Sequence, residues 1–162
     1  MTYDVVMESL AAVPPTLLRI NAYLLSLNGK AGRERVAARL AGRGLRLWHM
    51  AVLAALADFG PHAQRNLSSR LNVDPSDIAK VIDQLAAPGH VERTRDDADR
   101  RRVLVAISDR GRDLLAQLAD EAAAVDKTLL GGLTAEEREH LHTLLLKVFT
   151  ATRPNEEAAQ PN

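Results

Sequence analysis

Two short amphipathic segments joined by a tight turn constrain the fold of this chain more than any other feature. In the second segment, Asp74-Pro75 is a strong helix start, because aspartate caps free amides and proline suits the first helical position. The helix is predicted to end at about Ala87, before Pro88-Gly89, with Ile78, Val81, Ile82 and Leu85 on its core face. A helix over 64–71 precedes the turn at 72–74, so the pair is predicted to form a helix-turn-helix.

A β-hairpin is predicted directly after the second helix. Segments 91–95 and 102–107 have strand patterns, and the aspartate-rich segment 96–99 forms the turn. The run 100–102 is three arginines at or near the tip, where long cations can reach phosphates or enter a narrow minor groove. Each feature has an ordinary alternative, because a helix-turn-helix is often only structural and an arginine run is usually a solvated face. Their order and separation in one segment favour a DNA-binding unit.

Residues 44–112 resemble the winged helix-turn-helix core of the MarR family of bacterial transcription regulators. The most specific likeness is the wing sequence Asp99-Arg100-Arg101 with its flanking strands. Ser108 and Gly111 stand where the family has Thr and Gly. Further matching residues are Gly44-Leu45, Val52-Leu53, Gln64, Leu67, Leu71, Asp74-Pro75-Ser76, Val81, Asp83, Leu85, Gly89 and Val91-Glu92-Arg93.

The resemblance implies a mainly α fold with a small β-hairpin wing (α+β), in which N- and C-terminal helices form a dimer around a winged helix-turn-helix core. We therefore expect an N-terminal arm and helical dimerisation region over 1–44 and a DNA-binding domain over 45–112. C-terminal dimerisation helices are expected over 113–150 and a disordered tail over 151–162.

Charge is distributed unevenly along a chain that is neutral overall. Residues 1–112 carry 17 Lys/Arg against 12 Asp/Glu, whereas residues 113–162 carry 4 against 9. The basic half contains the predicted helix-turn-helix and hairpin, as expected of a surface that binds the phosphate backbone of DNA, although chance can also produce so modest an asymmetry. The chain has no cysteine, which excludes disulfides and thiol-based sensing. The lack of a long apolar stretch or signal peptide predicts a cytoplasmic protein without membrane contact.

The outward face of the second helix is predicted to contact DNA. Ser76, Lys80 and Gln84 would contact base edges or adjacent phosphates, since glutamine can pair with adenine and lysine with guanine. Asp77 is interpreted as a helix cap or as an acceptor for a cytosine amino group. The complete predicted DNA-contacting set is Gln64, Ser68, Ser76, Asp77, Lys80, Gln84, Arg100, Arg101 and Arg102.

Two residues are predicted to support the wing rather than to contact DNA. Asp99 is expected to orient Arg101, and Arg93 is expected to pair with a helix carboxylate such as Asp83.

Apolar stripes in the terminal helices exceed what a small winged domain can cover, so a homodimer with a pseudo-palindromic double-stranded target is expected. Regulators of the resembled family commonly release DNA when a small, often aromatic molecule binds. Arg19, Tyr23, Trp48 and His49 are candidate ligand contacts, and each is alternatively an ordinary core or interface residue.

No sequence motif of an enzyme is present, and no cofactor is expected. No metal site is expected either, because His140 and His142 are two residues apart and therefore point in different directions on a helix. The function that combines these observations is a sequence-specific DNA-binding regulator, most often a repressor in this family. A ligand-independent DNA binder and a winged-helix protein-interaction module are the alternatives.

Three local predictions concern helix ends. Thr16 is expected to cap a first helix that breaks or loosens at 28–32, where Asn28-Gly29 and Gly32 occur. Further helices are expected over 45–59 and from 109 to about 130. Thr134 and Glu137 have the spacing of a capping box that opens the last helix.

Overall fold

The computed structural model describes residues 13–96 and 99–152. The predicted arm before residue 13, the predicted tail from residue 153 onwards and two residues of the predicted wing turn, 97 and 98, lie outside these ranges. The first two residues of the predicted disordered tail, 151 and 152, are instead helical, because the last helix continues to Thr152. The described helices and strands, in chain order, are α1 (Pro15–Leu18), α2 (Asn21–Ala41), α3 (Leu47–Phe59), β1 (His62–Ala63), α4 (Gln64–Leu71), α5 (Pro75–Ala86), β2 (Val91–Arg95), β3 (Val103–Ile107), α6 (Asp109–Leu129) and α7 (Ala135–Thr152).

The helix-turn-helix is present as predicted. It consists of α4 and α5, and Asn72 ends α4 in the left-handed conformation at φ 51°, which asparagine tolerates better than most residues. All four residues predicted for the core face of α5 are buried. Because each buried aliphatic side chain contributes roughly 1.5–3 kcal/mol, this face fixes the rotation of α5 and leaves its polar face outward.

The three strands form one antiparallel sheet in the order β1-β3-β2. Val91 pairs with Ile107 and Arg95 pairs with Val103, so the β2–β3 hairpin closes around the segment that follows Arg95. β1 pairs with the other edge of β3, where His62 lies opposite Val105. The hairpin is the predicted wing, although β3 begins at Val103 and Arg102 belongs to the turn.

A network around Ser108 joins the turn after α5 to the start of α6. The Ser108 hydroxyl lies 2.7 Å from the Gly89 carbonyl oxygen and 3.1 Å from that of His90, and it accepts a hydrogen bond from the Gly111 amide at 3.1 Å. Gly111 is buried, and its α-carbon packs closely against the His90 carbonyl. The network fixes where the wing hairpin enters and leaves the helical core.

The predicted break in the first helix is wrong. α2 runs without interruption from Asn21 to Ala41. The Asn28 side chain donates to the Leu24 carbonyl oxygen one turn earlier at 2.9 Å, and Lys30 faces Glu34 at 3.9 Å across the next turn. A glycine inside a helix costs only about 1 kcal/mol relative to alanine, which a helix of this length tolerates.

The predicted role of Thr16 is also wrong. Thr16 lies inside the four-residue helix α1, whose N-cap is Pro14, and no side chain caps that end. Extended backbone at Ile20 then separates α1 from α2.

The chain divides into two compact units within α6, the first extending through Val125 and the second beginning at Asp126. The second unit contains the predicted capping box: the Thr134 amide donates to Glu137 at 2.8 Å, and the Glu137 amide donates to the Thr134 hydroxyl at 3.2 Å. Hydrogen bonding of the Glu137 carboxylate to Thr134, chiefly to its backbone amide, lowers the pKa of Glu137. In the described ranges, no helix combines the length and apolarity needed to cross a membrane.

Candidate nucleic-acid interface

The outward face of α5 is polar and exposed along its whole length, as predicted from the sequence. Asp74 begins the helix: its carboxylate accepts from the Ser76 amide at 2.7 Å and from the Ser76 hydroxyl at 2.6 Å. Hydrogen bonds from the Ser76 hydroxyl and amide hold the pKa of Asp74 below its usual value. The Ser76 hydroxyl is therefore oriented by the cap, and its lone pairs remain available to a partner outside the chain.

Asp77 pairs with a lysine in the structure. Its carboxylate lies 3.4 Å from the Lys80 ammonium, and both side chains are largely exposed. The cap that the sequence interpretation considered for Asp77 is supplied by Asp74. The pairing offsets the charge of Lys80 at the centre of the exposed face, so the two residues present a dipole rather than a bare cation.

The wing turn presents the predicted arginines. Residues Arg100, Arg101 and Arg102 are all exposed. The Asp99 carboxylate accepts from the Arg101 amide at 3.0 Å, and the Arg102 amide donates to the Asp99 carbonyl oxygen at 2.8 Å. Asp99 thus shapes the backbone of the turn that carries Arg101.

An ion pair joins the wing to α5. The Arg93 guanidinium on β2 contacts the Asp83 carboxylate on α5, as the sequence predicted. Because Arg93 lies on β2, the strand that leads to the wing tip, the pair holds the wing and the outward face of α5 on the same side of the unit.

Ser68 has a structural role instead of the predicted phosphate contact. Its side chain is buried, and its hydroxyl donates to the Val73 carbonyl oxygen at 2.6 Å, which closes the turn between α4 and α5. Gln64, the first residue of α4, is half-buried and close to the sheet through its neighbour Ala63. Only the neighbouring Ser69 hydroxyl on that helix is exposed, and it donates to the Arg65 carbonyl oxygen at 3.2 Å.

Gln84 is held by two residues at the start of α3, a contact that the sequence interpretation missed. The Gln84 side-chain oxygen lies 2.9 Å from His49 Nε2 and 3.4 Å from Arg46 Nη2. The other His49 nitrogen, Nδ1, accepts from the Arg46 amide at 3.0 Å. Burial lowers the pKa of His49, with the hydrogen bonds to Gln84 and Arg46 acting in the opposite direction. Helical spacing identified Gln84 as outward, but no sequence signal links it to a histidine 35 positions earlier.

The four predicted ligand contacts differ in exposure. His49 is 2% exposed and engaged with Gln84, whereas Trp48 is 42% exposed. Tyr23 is half-buried on α2, and Arg19 is exposed at the end of α1. Two clefts, one in each unit, are lined by other residues: Arg43, His90, Arg110, Asp113, Leu114 and Gln117 in the first unit, and Glu136, Glu139, His140, Thr143, Leu144 and Lys147 in the second. Within the described ranges, no group of three or more His, Asp or Glu could hold a metal ion.

Comparison with known proteins places the chain in a family. The model of the MarR family matches residues 47–103, which contain α3, the helix-turn-helix and β2. The transcriptional regulator HosA from Escherichia coli O111:H- is 31% identical over 101 residues, which are 62% of this chain and 75% of HosA. The chain belongs to the MarR family.

The MarR family consists of non-enzymatic DNA-binding transcription regulators, which supports the prediction that this chain is not an enzyme. The transcriptional repressor NicR from Pseudomonas putida is 33% identical over 97 residues, or 60% of this chain. The match spans 61% of the length of NicR, less than two thirds of that relative.

Solved MarR-type structures share the fold over most of the chain. A MarR-family regulator from Rhodococcus sp. RHA1 is 27% identical, with a TM-score of 0.67 over 82% of this chain and 94% of its own. CouR from Rhodococcus jostii RHA1, solved with p-coumaroyl-CoA bound, is 26% identical, with a TM-score of 0.68 over 88% of this chain and 100% of CouR. PcaV from Streptomyces coelicolor, solved with its natural ligand, is 25% identical, with a TM-score of 0.65 over 87% and 99%. The predicted winged helix fold is confirmed.

Proposed function

We propose that this protein is a sequence-specific double-stranded DNA-binding transcription regulator that acts as a homodimeric repressor and releases DNA when a small aromatic ligand binds. The observation that carries the proposal is that α5 and the wing lie side by side, with the polar face of the helix and the arginines of the wing both exposed. α5 has an exposed polar face on a rigid buried base, and the Arg93–Asp83 pair holds the arginine-bearing hairpin beside it. A helix suits the major groove, and arginines on a narrow hairpin suit the adjacent backbone or minor groove.

The homodimer is supported by the apolar surface of α7. Helix α7 has no buried residue, although five large apolar side chains along it are between 41% and 50% exposed: Leu144, Leu145, Leu146, Val148 and Phe149. So contiguous an apolar surface on one helix is typical of an interaction site. A two-fold dimer would present two α5 helices to successive major-groove faces, which requires a pseudo-palindromic operator.

The repressor and ligand parts of the proposal come from relatives. NicR is named a repressor, and CouR and PcaV were solved with a bound CoA thioester and a natural ligand, respectively. The candidate contacts for an aromatic ligand remain Trp48, Tyr23 and Arg19. His49 could contribute only if its bond to Gln84 were broken, because both ring nitrogens have partners.

Fluorescence anisotropy tests the DNA-binding part. The full-length protein is titrated onto labelled DNA from upstream of its own gene and onto a scrambled duplex, over a series of salt concentrations. We expect at least about a thousandfold preference for one natural segment, as is typical of specific regulators. Equal affinity for both duplexes, or the absence of binding at low salt, would contradict the proposal and favour a protein-interaction module.

The wing is tested by the double variant Arg100→Ala/Arg101→Ala. A dimer would lose about four phosphate contacts, so the slope of log K against log salt should become less steep by roughly 3.6. Lys127→Ala/Lys147→Ala removes the same charge from the second unit and serves as the control, with an expected slope close to that of the wild type. Equal slopes for both double variants would refute a phosphate-contacting role for the wing.

The ligand part is tested in the same assay by adding p-coumaroyl-CoA or its free acid, p-coumarate, to the preformed complex. Release of DNA that is lost in Trp48→Ala, with unchanged DNA affinity of the ligand-free variant, would support the predicted contact. Release of DNA that is unaffected by Trp48→Ala and Tyr23→Phe would indicate that the ligand binds to other residues.

A further inference from the structure

We propose that Gln84 acts at the DNA interface only as a hydrogen-bond donor, because His49 and Arg46 occupy its side-chain oxygen. Its DNA partner is therefore an acceptor, such as guanine O6 or N7, thymine O4 or a phosphate oxygen, and not the donor–acceptor pair of an adenine edge. This inference rests on the proposed DNA-binding function and specifies what one residue of that interface recognises. His49 and Arg46 become positioning residues for specificity.

The direction of every hydrogen bond in this network follows from one backbone group. The Arg46 amide can only donate, so His49 Nδ1, which lies 3.0 Å away, must be an acceptor without a proton. A neutral imidazole then carries its proton on Nε2. Since Nε2 lies 2.9 Å from the Gln84 side chain, it donates, and Gln84 must present its oxygen rather than its nitrogen.

A second donor reaches the same oxygen. The Arg46 guanidinium has no acceptor capacity, and its Nη2 lies 3.4 Å from Gln84 Oε1. An amide oxygen has two lone pairs, so His49 and Arg46 together use its accepting capacity. Both donors require the same orientation of Gln84, because a flipped amide would place its NH₂ group against two other donors.

The amide nitrogen of Gln84 remains free. Gln84 is exposed on the outward face of α5, and in the described parts of the chain its NH₂ group makes no hydrogen bond. Bidentate pairing with adenine requires glutamine to accept from N6 while it donates to N7. With the oxygen occupied, only donation remains, and the adenine pairing expected from the sequence would require the contact with His49 to break.

The position of Gln84 on α5 connects the network to the interface. Gln84 lies one turn beyond Lys80 and two turns beyond Ser76, on the side of the exposed face that is closer to α3. Arg46, the N-cap residue of α3, is exposed beside it. A base acceptor or a phosphate that reaches Gln84 thus also approaches a guanidinium, which reinforces the preference for an acceptor.

Nuclear magnetic resonance of the ¹⁵N-labelled wild-type protein tests the network without any variant. At neutral pH, the His49 ring shifts should report a proton on Nε2 and a bare Nδ1. A proton on Nδ1, or a rapidly exchanging mixture of the two tautomers, would overturn the proposal. His140 and His142, both exposed on α7, provide the internal reference for unconstrained tautomer exchange.

Selection from a randomised duplex library tests the readout. The wild type should enrich guanine or thymine at a position where Gln84→Met, which has similar length but no donor, loses the preference by on the order of tenfold. His49→Phe should leave Gln84 free to rotate and raise the frequency of adenine at that position, while a thermal melt verifies that this variant folds. Loss of an adenine preference in Gln84→Met would overturn the proposal.

A phosphate partner has a different signature. Gln84→Met would then lower affinity similarly for all sequences and change no base preference, which still supports a donor-only role, and ethylation of single phosphates would identify the contact. Base preferences and affinity that are both unchanged in Gln84→Met would overturn the proposal. If the wild type enriches no sequence and binds no DNA, the proposed function itself fails, whereas the tautomer result separately decides the network.

Discussion

Replacing Gly111 by alanine should destabilise the protein even though Gly111 lies in a helix. In an exposed helix the change would stabilise by about 0.5–1 kcal/mol, because glycine loses more backbone freedom on folding. At position 111, however, the added Cβ would lie 2.1 Å from the His90 carbonyl oxygen and 2.8 Å from Ile107 Cγ1. The closest neighbour is backbone, so no rotamer change can relieve the contact.

The magnitude follows from what must move. The turn at His90 and the start of α6 would have to separate by roughly 1 Å to restore ordinary contact, and the bonds that join Ser108 to His90 and Gly111 at 3.1 Å would lengthen with them. Overpacking of this kind costs about 1–3 kcal/mol, and each weakened hydrogen bond about 1 kcal/mol more. After subtraction of the helix-propensity gain, we expect a loss of about 3 kcal/mol, or roughly 6–12 °C in Tm.

Gly29→Ala is the matched control. Gly29 lies inside α2, and an added Cβ there would have no atom within 4 Å. The same chemical change should therefore stabilise the protein by about 0.5–1 kcal/mol. Urea denaturation at one protomer concentration measures both variants. A Gly111→Ala protein as stable as the wild type, with an unchanged m-value, would refute the close contact, and two variants that shift in the same direction would refute the reasoning.

Two further predictions concern groups that hold α5. Arg93→Ala should change the free energy of unfolding by less than about 1 kcal/mol, because the pair with Asp83 is half-exposed. Arg93→Ala should nevertheless weaken DNA binding, because the unpaired Asp83 carboxylate would face the phosphates. Adding Asp83→Asn should restore the affinity in a double-mutant cycle. A DNA affinity of Arg93→Ala equal to that of the wild type would contradict this role. Because folding lowers the pKa of His49, the unfolded chain binds a proton at this residue more readily than the folded chain does. The free energy of unfolding should therefore be at its full value above about pH 6.5 and should decrease as the pH falls towards the folded-state pKa. Urea midpoints at pH 7.5 and 5.5 check this, and His49→Phe should show a smaller decrease than the wild type; an equal decrease would assign the effect to other groups.

Local chemistry was sufficient to predict the part of the fold that contains the candidate DNA-binding surface. The Asp74-Pro75 start, the apolar spacing through Leu85 and the alternating pattern of the hairpin each depend on neighbours in sequence. Such features leave a periodic or capping signature, and the structure contains the cap, the buried face of the helix and the hairpin. The pairing of Arg93 with Asp83 was also accessible, because the two residues flank one short turn and carry opposite charge.

The sequence-based predictions are wrong where a tertiary contact or the cooperativity of a long helix outweighs a local preference. The sequence predicts a break around Gly29, but the cost of one glycine is small against the many hydrogen bonds of a 21-residue helix. The polarity of Ser68 favours a phosphate contact, whereas in the structure its hydroxyl donates to the Val73 carbonyl oxygen and closes the turn. The orientation of Gln84 depends on His49, 35 positions away, and no periodicity encodes such a contact.

Under the proposed function, α5 and the wing differ in charge and are therefore expected to contribute differently to DNA binding. On α5, the charges of Lys80 and Asp83 are each offset by a partner, and the oxygen of Gln84 is occupied. Even with Arg93 included, these side chains therefore carry no net positive charge, and α5 would offer DNA oriented dipoles and donors, which can discriminate between bases. The wing arginines at 100–102 are exposed, and the carboxylate of Asp99 accepts from the backbone of their turn. If the proposed function is correct, loss of wing cations should weaken binding to all DNA and reduce its salt dependence, whereas loss of the Gln84 donor should reduce discrimination while the salt slope stays constant.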